Sequence, residues 1–170
     1  MASNVVIATI RPWNRELYRA WKPPQGFHKY LVAGKDGLTL TTLKRIKPRY
    51  VFFPHWSWII PKDVYEKFEC VVFHMTDLPF GRGGSPLQNL LVRGIYQTKI
   101  SAIRVDGGLD TGLVYVKKSL NLKTGSAGDI YKKASRIVFK MIDEILVEHP
   151  KAIPQKGKVV TFKRRKPKES

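Results

Sequence analysis

Two polar loops, separated by one predicted strand, contain the residues of this 170-residue chain whose types and spacing could do chemistry. The first loop follows the apolar run 70–73 and begins with His74, an imidazole that can hold or release a proton near neutral pH. The second loop, 105–112, contains Asp110 among glycines. An imidazole can stabilise a developing oxyanion, and a nearby carboxylate can orient the ring and help to move a proton. The pattern therefore predicts an active site in which the imidazole of the first loop meets a carboxylate of the second.

Alternating strands and helices position these loops. Apolar, largely β-branched runs predict strands at 4–10, 29–33, 50–53, 70–73, 98–105 and 113–117. Helical patterns fall between them at 16–21, 39–46, 62–68 and 85–93, with Ser85 as the predicted N-cap of the last. A longer helix begins after Ser126, which has Asp129 at capping-box spacing, and ends before Pro150. This alternation predicts an α/β domain with a mainly parallel sheet flanked by helices.

Ligands of such sheets bind beyond the carboxyl ends of the strands, where we expect both His74 and Asp110. Motifs that the chain lacks narrow the choice of ligand. The absence of Gly-x-Gly-x-x-Gly after the first strand argues against a nicotinamide cofactor, and the absence of Gly-x-x-x-x-Gly-Lys-Ser/Thr argues against that type of ATP site. Cys and His residues show no metal-ligand spacing, so we expect no metal.

Charge and cysteine usage indicate the compartment and the partners. Thirty-one Lys and Arg against thirteen Asp and Glu give a net charge of +18. Such a field attracts anions such as nucleic acid, a nucleotide sugar, a folate polyglutamate tail or a membrane surface. A basic proteome or plain solubility is the alternative explanation of the charge. The single cysteine, Cys70, lies in an apolar strand and is predicted to be a buried thiol. With neither a leader pattern nor a long apolar stretch, we expect a cytoplasmic protein without membrane contact.

The two loops resemble the core of the folate-dependent formyltransferase family. The shared pattern is His74-x-x-x-Leu78-Pro79-x-x-Arg82-Gly83, followed by Leu109-Asp110-Thr-Gly112, and the similarity is close over about residues 50–118. The resemblance implies a Rossmann-like formyltransferase fold and an enzyme that uses 10-formyltetrahydrofolate as co-substrate and a primary amine as acceptor. It assigns the catalytic imidazole to His74 and the catalytic carboxylate to Asp110.

The same resemblance implies binding residues on both sides of the reacting group. The cofactor-binding segments are Trp58, Ile59 and Ile60, and the loop Val105, Asp106, Gly107 and Gly108. Apolar walls with few polar groups suit a flat heterocycle, although Trp58 could equally be a core residue and the glycines plain turn residues. The substrate-binding residues are Arg82, Ser85 and Gln88, of which Arg82 would suit a phosphate.

One position departs from the family pattern. The family has Asn two residues before the histidine, as a further donor to the oxyanion, and this chain has Val72 there. Loss of such a donor typically lowers turnover by about 10²–10³. Polar neighbours that could substitute are His55, Ser57 and Thr76, and we favour His55 because it lies just past the neighbouring strand. The alternative is a catalytically impaired relative that binds folate or RNA.

The resemblance leaves two kinds of acceptor open. We expect an amino-sugar nucleotide or a similar small amine, because a chain of this length leaves no room for the second, barrel-like domain with which methionyl-tRNA formyltransferases hold tRNA. The alternative acceptor is charged tRNA, which the net charge of +18 favours. A formyl-folate hydrolase would use the same catalytic pair.

Residues 1–154 are predicted to form the catalytic domain, and residues 155–170 a basic extension. The extension either packs on the domain, through a short strand at 159–162, or contacts anionic substrate.

Overall fold

Eight strands and five α-helices make up the computed structural model, which describes residues 2–166. The strands are β1 Ser3–Ala8, β2 Phe27–Val32, β3 Pro48–Phe53, β4 Cys70–His74, β5 Phe80–Gly83, β6 Gln97–Arg104, β7 Val114–Asn121 and β8 Val160–Phe162. The helices are α1 Pro12–Ala20, α2 Leu40–Ile46, α3 Lys62–Tyr65, α4 Pro86–Val92 and α5 Ala127–Glu148, with a 3₁₀ turn at Lys35–Gly37. The predicted alternation of strands and helices is confirmed.

Six strands form one sheet in the order β2-β1-β3-β4-β6-β7. The first four run parallel, and β6 and β7 run antiparallel to their neighbours. Because Val71 pairs with Arg104 while His74 pairs with Ser101, β6 ends at the edge opposite to His74. The expectation that both polar loops leave the carboxyl edge is therefore right for His74 and wrong for the loop after β6. That loop, 105–113, must fold back to reach the imidazole.

The sheet buries side chains on both faces. Successive residues of β1 alternate, so that Val5 and Ile7 face α5, whereas Val6 and Ala8 face α2 and α3. Cys70 belongs to the second layer and is 1% exposed, as predicted. Its burial, followed by the neighbouring Glu69 carboxylate, raises the pKa of this thiol to about 12, so Cys70 is a core residue and no nucleophile.

The two helix starts singled out in the sequence differ in the structure. Ser126 forms the predicted capping box, since its Oγ accepts from the Asp129 amide at 3.2 Å and its amide donates to Asp129 Oδ2 at 2.9 Å. Ser85 occupies the predicted N-cap position directly before Pro86, but its backbone is left-handed (φ 51°) and its side chain makes no cap hydrogen bond. Its Oγ instead accepts from the Arg165 amide at 3.0 Å. A single hydroxyl thus ties the start of α4 to the C-terminal segment.

A second, two-stranded sheet contains one strand that the sequence predicts and one that it does not. Strand β5 forms within the predicted glycine-rich loop and pairs in parallel with β8, which lies some eighty residues further along the chain and matches the short strand predicted at 159–162. Phe162 anchors the pair: it is 2% exposed and packs edge-to-face on Phe80 at 5.5 Å between ring centroids. Gly83, at φ 104°, passes so close that a Cβ there would collide with the Phe162 carbonyl oxygen. The glycines of β5 therefore permit close contact between the two strands.

Phe162→Ala is expected to lower the free energy of unfolding by about 3–5 kcal/mol, because it leaves a cavity between β5, β8 and the main core. Urea denaturation followed by fluorescence measures this loss. Val159→Ala, at a position 53% exposed just outside β8, is the control and should change stability by less than about 0.5 kcal/mol. Equal effects of the two variants would show that β8 is not part of the cooperative unit.

Candidate active site

A cavity of about 1040 Å³ opens beside His74 at the end of β4 and beneath the loop after β6. This volume is at the upper end of the range for small-molecule sites. Most residues predicted from the sequence line it: His74, Asp110, Trp58, Ile59, Ile60, Val105, Asp106, Gly107, Gly108, Ser85 and Gln88. Arg82 is absent from the lining. The structure thus brings the predicted catalytic pair and both predicted folate segments to one cavity.

The His74 ring is held by the main chain of β5. Its Nε2 lies 2.7 Å from the Gly81 carbonyl oxygen, which also accepts from Thr76 Oγ1 at 3.2 Å. Because a carbonyl only accepts, Nε2 must carry a hydrogen, and Nδ1 is the nitrogen left for chemistry. Nδ1 faces the Asp110 carboxylate, with 3.6 Å between Nδ1 and Oδ2. Gly81, rather than the carboxylate expected from the sequence, orients the ring.

Asp110 is held in an uncommon backbone conformation. Its φ of 53° is left-handed, and its Oδ2 accepts from the Gly83 amide at 2.8 Å. Nearby, Asp106 Oδ1 accepts from the Gly108 amide at 2.9 Å and from Thr111 Oγ1 at 2.7 Å, which shapes the loop. The 3.6 Å between His74 Nδ1 and Asp110 Oδ2 exceeds a good hydrogen bond. A substrate atom could therefore contact both groups.

A second imidazole, His55, lies on the cavity wall. Ser135 Oγ accepts from the Trp13 indole at 3.1 Å, so its own hydrogen is free for His55 Nδ1, 3.3 Å away. The Asn14 amide nitrogen lies 3.4 Å from Nδ1, but it donates to Thr9 Oγ1 at 3.0 Å and to the Pro54 carbonyl at 3.2 Å. When the Ser135 hydroxyl donates to Nδ1, the ring hydrogen lies on Nε2, which is buried without a protein partner among residues 2–166. Burial, helped by the Arg11 charge, lowers the pKa of His55 to about 4.

The position of the missing family asparagine is apolar in the structure as well. Val72 lines the cavity and packs against Leu78 and Val114. Of the three polar candidates for its role, Thr76 is fully buried and directs its hydroxyl to Gly81, away from the cavity. His55 and Ser57 both line the cavity. The preference for His55 stays a prediction.

The predicted substrate residues have different partners. Arg82 donates from Nε and Nη2 to Gln155 Oε1 at 3.1 and 2.8 Å, which ties β5 to the C-terminal segment, and its role as a phosphate ligand stays a prediction. Gln88 Nε2 donates to the Tyr131 hydroxyl at 3.3 Å on the cavity wall.

Two exposed arginines that were not predicted from the sequence, Arg11 and Arg164, also line the cavity. Nothing in the sequence distinguishes them from the other basic residues.

Aromatic side chains build the wall next to the 58–60 segment. Trp56 packs edge-to-face on Phe53 at 5.4 Å and on Trp58 at 5.1 Å. Trp58 is 40% exposed and Ile59 is 94% exposed, so the core-packing alternative fits Trp56 better than Trp58. This leaves apolar surface available at the cavity, as a flat heterocycle requires.

Within residues 2–166 no group of three or more His, Cys, Asp or Glu side chains is arranged to hold a metal ion. In the same range, no helix combines the length and apolarity needed to cross a membrane.

Sequence and structure comparisons relate the chain to formyltransferases. No family model matches it. The chain is 50% identical to a methionyl-tRNA formyltransferase from Clostridium thermocellum, over 98% of this chain and 74% of that one, with a TM-score of 0.94. It is 31% identical to the methionyl-tRNA formyltransferase of Campylobacter fetus over 114 residues, 65% of this chain and 38% of the relative. The chain thus spans less than half the length of the curated relatives it matches.

A more distant structure shares the fold alone. The formyltransferase PseJ from Anoxybacillus kamchatkensis, solved with UDP-4,6-dideoxy-4-formamido-L-AltNAc and tetrahydrofolate, is 15% identical with a TM-score of 0.69. The superposition covers 94% of this chain and 85% of that one. The predicted Rossmann-like formyltransferase fold is confirmed.

His55 is expected to make stability depend on pH. Its pKa is about 4 in the folded protein against an ordinary 6.5, so between these values the unfolded chain binds more protons. Stability should fall as pH falls through this window, by about 3 kcal/mol from this group. Urea titrations of wild type and His55→Gln at pH 7 and pH 4 measure the difference. Parallel pH profiles for the two proteins would contradict the buried, neutral imidazole.

Proposed function

Because the chain belongs to the folate-dependent formyltransferase family, we propose that it transfers a formyl group from 10-formyltetrahydrofolate to a primary amine. The observation that supports this activity is the convergence of His74 Nδ1 and Asp110 Oδ2 beside one large cavity. Retention of both groups, in an arrangement where one substrate atom can contact them together, favours an enzyme over a binding protein without chemistry.

In the proposed mechanism His74 acts through Nδ1. The acceptor amine attacks the formyl carbon, and a protonated Nδ1 donates to the developing oxyanion while Nε2 remains bonded to Gly81. Asp110 accepts the proton that the attacking amine loses. When the tetrahedral intermediate collapses, the bond from carbon to folate N10 breaks, and that nitrogen takes up the proton that Asp110 accepted. The site thus moves one proton from the acceptor nitrogen to the leaving nitrogen.

We propose that the folate lies against the two segments identified in the sequence. Trp58, Ile59 and Ile60 offer apolar surface on one side of the cavity, and Val105 to Gly108 form the loop on another. The hydrogen bonds from Gly108 and Thr111 to Asp106 give this loop a defined shape before the folate binds. The cavity volume of about 1040 Å³ leaves room for a folate and the end of an acceptor.

The acceptor that we propose is the amino group of an aminoacyl-tRNA. The relative with 50% identity is named a methionyl-tRNA formyltransferase, which supports charged tRNA better than the amino sugar favoured in the sequence analysis. Arg11 and Arg164, exposed at the cavity, supply cationic groups for phosphates near the reacting end. An amino-sugar nucleotide is the alternative acceptor, and the same two arginines would suit its pyrophosphate.

His74→Ala and Asp110→Asn are each expected to lower turnover by about 10²–10⁴, because both groups act on the transition state. Folate affinity should stay within about threefold, since neither group belongs to the proposed folate walls. Release of tetrahydrofolate measures the first quantity, and thermal stabilisation by an unreactive folate measures the second. The double variant should be little slower than either single one. A wild-type rate in either single variant would remove that residue from the mechanism.

The acceptor assignment predicts a salt-dependent affinity for charged tRNA. Arg11→Ala and Arg164→Ala should each flatten the slope of log affinity against log salt by roughly 0.7–0.9, one phosphate contact each. Lys44→Ala, an exposed basic residue on α2 outside the cavity lining, is the control and should leave the slope unchanged. Formylation of an amino-sugar nucleotide in place of charged tRNA would overturn the acceptor while leaving formyl transfer intact.

A further inference from the structure

The Gln155 side chain joins three segments at the back of the site. Its Nε2 donates to the carbonyl oxygens of Asp110 and Gly112, at 2.8 and 2.9 Å. Its Oε1 accepts both Arg82 hydrogen bonds. The orientation of the amide follows from chemistry, because guanidinium groups only donate and carbonyl oxygens only accept. All these bonds are made at once by one half-buried side chain.

The segment that Gln155 holds is a loop. Elsewhere it is fixed by the Asp106 contacts with Gly108 and Thr111, and at its end by the Arg104 amide, which donates to the Leu113 carbonyl at 2.9 Å. Strand β6 ends at the opposite edge of the sheet from His74, so no strand ladder sets the position of Asp110. At φ 53° this residue also has a backbone conformation that costs about 1 kcal/mol or more outside a supporting structure. The Gly83 amide fixes the carboxylate, and Gln155 fixes the carbonyl of the same residue. These two contacts act on Asp110 itself, one at its carboxylate and one at its carbonyl.

We propose that Gln155 is a positioning residue for the reaction, which sets the Asp110 carboxylate beside His74 by binding the carbonyls of Asp110 and Gly112. This inference rests on the proposed function for its catalytic consequence. Gln155 itself does not line the cavity and acts only through Asp110. Displacement of a reacting group by about 1 Å can lower a rate by about 10²-fold, so a contact behind the site is sufficient to control turnover.

Gln155→Glu separates the two halves of this contact. A glutamate oxygen still accepts from Arg82, whereas the other oxygen faces two carbonyls to which it cannot donate. We expect kcat to fall about 10–100-fold with the KM for folate within about threefold. In an Asp110→Asn background the same change should add less than about threefold, because its effect passes through Asp110.

Asn4→Asp provides a matched control. Asn4 also donates from a part-buried amide to a carbonyl, that of Ile46 at 2.5 Å, but it lies at the start of β1, at the edge of the sheet away from His74. This variant undergoes the same amide-to-carboxylate change and should lose stability without the tenfold loss in kcat. Gln155→Leu, which adds no charge, is the second variant if Gln155→Glu does not fold.

A second measurement is independent of catalysis. The Gly83 amide donates to the Asp110 carboxylate, so its hydrogen exchange reports whether that carboxylate is in place. Exchange should become at least about tenfold faster in Gln155→Glu and stay as in wild type in Asn4→Asp. Unchanged protection of Gly83, or kcat within about twofold of the Asn4→Asp value, would overturn the positioning role. Absence of formyl transfer by the wild type would refute the proposed function, and Gly83 exchange would still decide whether Gln155 positions Asp110.

Discussion

The candidate site depends on the main chain of β5, residues Phe80–Gly83. The Gly81 carbonyl holds the imidazole of His74, and the Gly83 amide holds the carboxylate of Asp110. Two groups from distant parts of the chain are thereby brought to 3.6 Å by one short strand. This strand is in turn held by β8 and by the buried Phe162 ring. The relative position of the His74 imidazole and the Asp110 carboxylate therefore depends on the pairing of β5 with β8.

The two histidines at the cavity show how a hydrogen-bond partner decides the use of an imidazole. A carbonyl next to Nε2 of His74 requires a hydrogen there and leaves Nδ1 facing the carboxylate. At His55 a hydroxyl and an amide face Nδ1, and burial keeps the ring neutral. The imidazole of His74 thus faces a carboxylate with which a proton can be exchanged, whereas the imidazole of His55 stays neutral and can only form hydrogen bonds.

Features that depend on short stretches of sequence could be predicted, whereas features that depend on contacts between distant segments could not. The strands of the main sheet, the capping box at Ser126 and the placement of His74 after a buried strand all follow from short-range patterns. The direction of β6 does not, because an apolar run reads the same for parallel and antiparallel pairing. The local pattern predicts the N-cap position of Ser85 and suggests a phosphate ligand at Arg82, but it does not predict the hydrogen bonds that these residues make to Arg165 and Gln155, over seventy residues away. Gln155 carried no local signal at all, since its role consists entirely of contacts with distant segments.

The order of these segments along the chain bears on biosynthesis. The large sheet and α5 are complete by residue 148, whereas the partners of β5 follow at 155–162. A nascent chain released up to about residue 150 contains every strand of the large sheet but lacks β8, the Phe162 ring and the Gln155 amide. Assembly of the candidate site therefore requires residues that are synthesised after the large sheet and α5.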